Sequence, residues 1–167
     1  MTNLDTPNQI IRMLGLLPLP REGGWYRETW RLPGSPGLIS GDKCQSSATA
    51  IYYLLTPGQH SKLHRLPKPE MYFYHAGAPL QLLVLDEDYF PDGREIVVGP
   101  NLELGHVPQF EVPGGAIHGS RPLGDPGWSL VSTVMVPGFE PNDYNEPDIE
   151  FLIQKYPLFS YKIRSLG

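Results

Sequence analysis

Three side chains able to ligate a metal or move a proton sit in two short stretches of this sequence. In GQHSKLHRLPKPEMYFYHAG, residues 58–77, His64 and Glu70 stand six positions apart with Pro67 and Pro69 between them. In VPGGAIHGS, residues 112–120, His118 follows Pro113, Gly114 and Gly115. A carboxylate inside a β-rich fold is costly unless it is paired, hydrogen-bonded or metal-bound, and His64 is its nearest candidate partner in sequence. Two imidazoles and one carboxylate from separate strands form a three-ligand set for a divalent cation, with positions left open for water or substrate. The same groups in a water-poor chamber also suit proton transfer, because burial raises a carboxyl pKa and lowers that of histidine. The bland alternative is a hairpin with polar residues on its wet face.

The elements that must position these groups are short strands. TAIYYLLT (49–56), MYFYHA (71–76), PLQLLVLD (79–86), EIVVG (95–99), PQFEVP (108–113), IHGS (117–120) and WSLVSTVMV (128–136) are apolar or aromatic runs bounded by Gly or Pro. WYRETWRL (25–32) is a further aromatic strand candidate. Eight or more strands at this spacing predict a sandwich or barrel. A short helix is predicted after Thr6 or Asn8, with Pro7 in its first turn, Ile10, Ile11 and Leu14 as its apolar stripe, and Gly15 at its end. A second is predicted after Asn145, with Ile149, Leu152, Ile153 and Tyr156 on one face and Pro157 as its stop. Residues 31–48, with their Pro-Gly and Ser-Gly pairs, read as a loop.

Composition narrows the function. The chain has 167 residues, enough for one domain with a real core, and we take 1–167 as that domain with a barrel core at about 47–140. A net charge of −5 without a basic cluster argues against a nucleic-acid partner. No run of ~18 apolar residues predicts a membrane span, and no charged-then-apolar leader is seen. The single Cys44 fits a reducing, cytoplasmic setting.

Strand parity extends the candidate site. If Glu70 points inward, so do Tyr72 and Tyr74, which would then shape a cavity. Gln81 stands alone among apolar residues and could orient a ligand from inside, although an outward amide is the simpler reading. Ser132 would face the cavity with Leu130 and Val134. Arg27 alternates with Glu28, so one of the two could reach inward. His60 is read as solvated and His75 as outward-pointing.

The spacing resembles the first motif of the cupin superfamily, G-x5-H-x-H-x3-E-x6-G. Gly58, His64, Glu70 and Gly77 fill their places, and Leu66 replaces the second histidine. The core of the second motif, P-x-G-x2-H, fits Pro113, Gly115 and His118. Its upstream glycine lies two residues too far away, at Gly105, and Pro122 stands where its asparagine belongs. The stretches LPREGGWYRET, SATAIYYLLTPGQHSKLHR, PEMYFYHAGAPLQLLVL and VMVPGFEPNDY are similar to a small single-domain branch of cupins, mostly of unknown function. The resemblance implies an all-β fold with minor α, a double-stranded β-helix or jelly-roll barrel with short terminal helices, and a homodimer. It implies His64, Glu70 and His118 as ligands of one divalent metal (iron, manganese, nickel or zinc), with no organic cofactor.

Three functions follow as expectations. The first is an isomerase, epimerase or cyclase acting on a small carbonyl compound. In it Glu70 is base or ligand, His64 and His118 are acid or ligands, and Tyr72 and Tyr74 hold the substrate. The second is a non-haem iron dioxygenase with the three residues as ligands. The third is a non-catalytic binder of a small metabolite.

Overall fold

The computed structural model describes residues 6–34, 39–40, 43–124 and 127–167. Helix α1 (Pro7–Leu14) opens the chain, with Pro7 in its first turn and Gly15 ending it in the left-handed region at φ 61°. The strands follow in order: β1 (Leu17–Pro18), β2 (Trp25–Leu32), β3 (Ile39–Ser40), β4 (Lys43–Cys44), β5 (Ala48–Leu55), β6 (Ser61–Arg65), β7 (Glu70–Gly77), β8 (Leu80–Asp86), β9 (Phe90–Val98), β10 (Gln109–Val112), β11 (Ile117–Pro122) and β12 (Ser129–Met135). Helices α2 (Ile149–Lys155) and α3 (Ser160–Leu166) close it. The loop expected over 31–48 contains the two-residue pairing of β3 with β4, and its residues 35–38 and 41–42 lie outside the described residues.

Two antiparallel sheets face each other. One has the order β1-β2-β5-β12-β7-β10 and the other β6-β11-β8-β9. This interleaving of early and late strands is the double-stranded β-helix that the motifs imply. Between the sheets, inward residues at period two form the main core: Tyr53, Leu55, Tyr72, Leu82, Val84 and Val131 are all buried.

The helices explain why β8 is apolar on both faces from Leu82 to Leu85. Leu80, Leu82 and Val84 face the barrel interior, whereas Leu83 and Leu85 pack outward with Leu63 and Ile117 against Leu152, Tyr156, Ile163 and Leu166 of α2 and α3. A sheet covered on both faces has no wet side to encode. On the larger sheet, α1 covers a smaller outer patch, where Ile10 and Leu16 pack on Leu54.

Two details of the helices differ from expectation. The cap of α2 is Asp148, whose Oδ1 accepts from the Phe151 amide at 3.1 Å, rather than Asn145. Asn145 instead exchanges main-chain bonds with Arg65. Pro157 stops α2, yet the chain re-enters a helix at Ser160, because Ile163 and Leu166 are needed to complete the outer cluster.

Candidate functional site

His64 on β6 and His118 on β11 are direct cross-strand partners in the smaller sheet. Glu70, the first residue of β7, belongs to the larger sheet, where it pairs with Met135 and Val112. The ligands therefore come from both sheets and meet between them. Two turns hold this alignment. The Gly115 amide donates to the Leu66 carbonyl at 2.8 Å, and Gly115 needs φ +90° to do so. A Cβ on Gly114 would lie 2.8 Å from the Pro67 carbonyl. Gly114 thus lets the turn before His118 lie against the turn between His64 and Glu70, and the motif glycine, Gly115, supplies the backbone conformation.

All three side chains are buried: His64 and His118 are 1% exposed and Glu70 7%. One ligand atom from each lies within 4.8 Å of the other two. His64 donates Nδ1–H to the Lys62 carbonyl at 2.7 Å, which leaves the Nε2 lone pair free. His118 donates Nε2–H to Glu70 Oε2 at 3.0 Å, and its Nδ1 is buried with no partner among the described residues. Two imidazoles and a carboxylate at this separation fit a divalent cation. The His64 ring is 4.2 Å from that of His118 and stacks on Tyr144 at 5.1 Å and 16°.

A second carboxyl, Glu22, enters from the turn between β1 and β2. Its Oε1 accepts from Ser61 Oγ at 2.7 Å, and its Oε2 lies 4.0 Å from His64 Nε2. The turn is tied to the barrel by Lys62 N–H to the Glu22 carbonyl and by the Tyr53 hydroxyl to the Gly23 carbonyl, both 2.9 Å. Burial, reinforced by the nearby Glu70 charge, pushes the Glu22 carboxyl up to about 7. Burial would raise Glu70 too, but its hydrogen bond from His118, the His118 and His64 charges and the Thr133 hydroxyl together hold it below the usual range. Burial, with His118 adjacent, pushes His64 down to about 3, so its imidazole is neutral near pH 7.

Glu22 and Glu70 border a cavity of about 320 Å³, and His64 and His118 lie behind them. Glu22, Glu28, Arg31, Thr49, Glu70 and Thr133 are its polar lining, and Leu19, Tyr26, Ile51, Leu66, Met135 and Phe139 are among its apolar walls.

Residues 8–146 match the family described as Cupin superfamily (DUF985). The chain is a cupin. Two solved structures resemble it nearly end to end. A hypothetical protein from Leishmania major is 34% identical, with a TM-score of 0.81 and coverage of 98% of this chain and 99% of that one. A protein from Shewanella oneidensis is 32% identical, with a TM-score of 0.82 and 98% coverage of both chains. A cupin 2 conserved barrel domain protein from Rhodopseudomonas palustris, at 13% identity, shares the fold (TM-score 0.58, covering 90% of this chain and 87% of that one). None of the curated proteins matches the chain.

The remaining residues predicted for the site of this cupin do not gather around the cavity. Tyr72 points inward but is packed in the core, edge-on to His118 at 6.0 Å. Tyr74 is half-buried and donates to the Gly77 carbonyl, away from the cavity. Ser132 faces outward, hydrogen-bonded to His75 Nε2 at 2.8 Å, because the inward positions of β12 are Val131, Thr133 and Met135. Gln81 lies on the outer face near Tyr161 and Lys162 of α3. Arg27 is exposed over the Tyr52 ring. His75 points outward as expected, and His60 is half-buried with its Nε2 unpartnered among the described residues.

Sequence reasoning missed Glu22 and Arg31 as cavity residues, and of the alternating pair Arg27 and Glu28 it is Glu28 that lines the cavity. Tyr26 and Glu28 point inward. The pairing of β2 with β5 then slips between Glu28 and Trp30, so that Arg31, not Trp30, is the next inward residue. No pattern in the sequence reveals that bulge. Glu22 offered one signal, a lone acid before Gly23-Gly24, where a tight turn can aim a side chain back at the barrel.

No helix among the described residues is long and apolar enough to cross a membrane.

Proposed function

We propose that this cupin is an enzyme that moves protons on a small carbonyl compound, in an isomerisation, epimerisation or cyclisation, with one divalent cation held by His64, Glu70 and His118. The observation that carries the reading is the pair of carboxyl groups, Glu22 and Glu70, that face one largely apolar cavity with their acidities pushed in opposite directions. Such separation is what distinct acid and base roles require. The cation would polarise the substrate carbonyl as a Lewis acid.

Glu22 is the proton-transfer group: Ser61 fixes its orientation, and in the cation-free chain both of its forms are populated near pH 7. His64, held by the Lys62 carbonyl, keeps its neutral Nε2 directed at the site. Leu19, Ile51, Leu66 and Met135 exclude water and sharpen these interactions. The partner in this reading is a small molecule, and a homodimer in a cytoplasmic setting belongs to the same proposal.

The test is deuterium exchange followed by NMR. Cation-loaded protein is incubated in D2O with a panel of hydroxyaldehydes and hydroxyketones. Incorporation at the carbon beside the carbonyl is expected, with Glu22→Gln slowing it by roughly 10²-fold or more. Unchanged exchange in that variant would refute the role of Glu22. Absence of exchange across the panel would refute the reading. His64→Ala and His118→Ala are expected to lose the cation in elemental analysis.

The two-histidine, one-carboxylate composition also favours a second reading, an iron-dependent dioxygenase. Oxygen uptake by iron-loaded protein with a substrate of the same class would select it over proton transfer.

A further inference from the structure

Arg31 is the single basic residue among the described residues that line the cavity. A lone arginine in a binding chamber invites the reading that it receives an anionic substrate. Its hydrogen bonds contradict that. A guanidinium has five N–H donors, and here every one is engaged. Nε donates to Glu28 Oε1 at 2.9 Å, and one NH2 group donates to Glu28 Oε2 at 2.8 Å and the Phe139 carbonyl at 3.1 Å. The other NH2 group donates to Ser46 Oγ at 3.0 Å and Glu140 Oε1 at 3.2 Å. Glu28 grips it as a two-pronged fork, the strongest geometry for this pair. One carboxylate partner is itself anchored: Glu140 also accepts from the Ser46 amide at 3.0 Å, and Ser46 is only 4% exposed.

The charge around Arg31 is consequently balanced before any ligand arrives. Glu28 lines the same cavity, Glu140 lies behind it, and Glu22 stands toward the metal-ligand cluster. We propose that the cavity takes a molecule whose end remote from His64, Glu70 and His118 is uncharged or cationic, and that Arg31, saturated by Glu28 and Glu140, acts as a wall and not as an anion receptor. This rests on the enzyme reading above, in which the reacting head of the substrate meets the cation-binding cluster. A carboxylate or phosphate at the far end would find no free guanidinium donor, at a rim where Arg31 is 38% and Glu28 37% exposed. It would also sit beside Glu28, and like-charge juxtaposition excludes wrong partners. An alkyl, hydroxyl or ammonium end meets Leu19, Ile51 and Phe139 without that penalty.

Two probes with one head and different tails test this. 2-Oxoglutarate and 2-oxohexanoate share a 2-oxoacid head. The first ends in a carboxylate and the second in a methyl group. Binding to the manganese-loaded chain is measured by calorimetry, and by NMR at millimolar concentration for weak complexes. The expected result is a preference for 2-oxohexanoate of about threefold or more, the scale of one like-charge contact at a partly exposed position. Glu28→Ala releases two guanidinium donors and should narrow or reverse that preference. Arg31→Met should leave 2-oxoglutarate binding no weaker than in the parent chain.

Equal or tighter binding of 2-oxoglutarate by the parent chain would overturn the proposal. So would its loss in Arg31→Met, or the failure of both probes to bind. Repeating the measurement with a chelator separates the two readings. If each probe binds as tightly without the cation as with it and 2-oxohexanoate is still preferred, the cation reading falls and the tail preference stands. If the heads bind only with the cation and the tails are not distinguished, the tail proposal falls alone.

Discussion

Replacing Glu22 by glutamine should stabilise the cation-free protein, and only at neutral to alkaline pH. In the fold the Glu22 carboxyl titrates at about 7, against 4.5 for the free side chain. A folded value raised above the unfolded one means that the protonated form is favoured by folding. Its favourable share is fully present below pH 4.5 and is lost as the pH rises through 7, where the chain must bury the carboxylate next to Glu70. At about 1.4 kcal/mol per tenfold change in proton affinity, the difference of 2.5 is worth at most about 3.5 kcal/mol. The side chain keeps 16% of its surface in contact with solvent, and screening reduces the figure to about 2 kcal/mol. Glutamine keeps the oxygen that Ser61 bonds and carries no charge to bury. Thermal melts of parent and variant, with chelator present, should nearly coincide at pH 4.5 and diverge by about 4–8 °C at pH 8, with the variant higher. His64 and Glu70 do not obscure the difference, because in the fold His64 titrates at about 3 and Glu70 below the usual carboxyl range, so neither changes charge between these pH values. A gap that stays constant between these pH values, or a variant less stable at pH 8, would refute the reasoning.

Two further outcomes follow from packing and pairing. Gly77→Ala should lose about 3 kcal/mol or more in urea unfolding, because φ is +89° there and a Cβ would press on the Trp128 carbonyl and lie 2.6 Å from its ring; a loss below about 1 kcal/mol would mean that the Trp128 loop yields freely. Lys68 and Asp143, 2.6 Å apart and almost buried, tie the segment after β12 to the turn that carries Glu70, and the Lys68 Nζ also donates to the Gly138 carbonyl at 2.8 Å; a double-mutant cycle with Lys68→Met and Asp143→Asn should give a coupling of about 1–3 kcal/mol, and additive losses would show the pair to be independent.

The parts of this protein legible in its sequence are those fixed by spacing. Pro67, Pro69, Gly115 and Gly77 punctuate turns whose lengths decide where His64, Glu70 and His118 lie, and these three do converge. Parity within a strand was legible only where the strand is regular. On β7 it places Tyr72 inward, but it cannot tell that Tyr74, two residues on, has passed beyond the cavity to bond Gly77. For Ser132 the parity was simply opposite, since alternating apolar and hydroxyl residues on β12 leave both faces plausible until Thr133 is seen beside Glu70. Gln81 looked odd because a helix, invisible from β8 itself, covers its outer neighbours. Glu22 reaches the site across a gap of 42 positions from His64, through main-chain bonds that leave no mark in residue types.

The extra residue in β2 bears on how this barrel tolerates change in chain length. Up to Glu28 the even-numbered side chains look into the chamber; beyond the slip the odd-numbered Arg31 does. Deleting Thr29 would restore an uninterrupted alternation with Glu28 and Arg31 still inward and Trp30 still outward, because the partners across from them, Ile51, Ala50 and Thr49, already run without a gap. The loss of one residue at this point would therefore be absorbed by the slip itself, leaving the lining of the chamber and every metal-binding residue where they are.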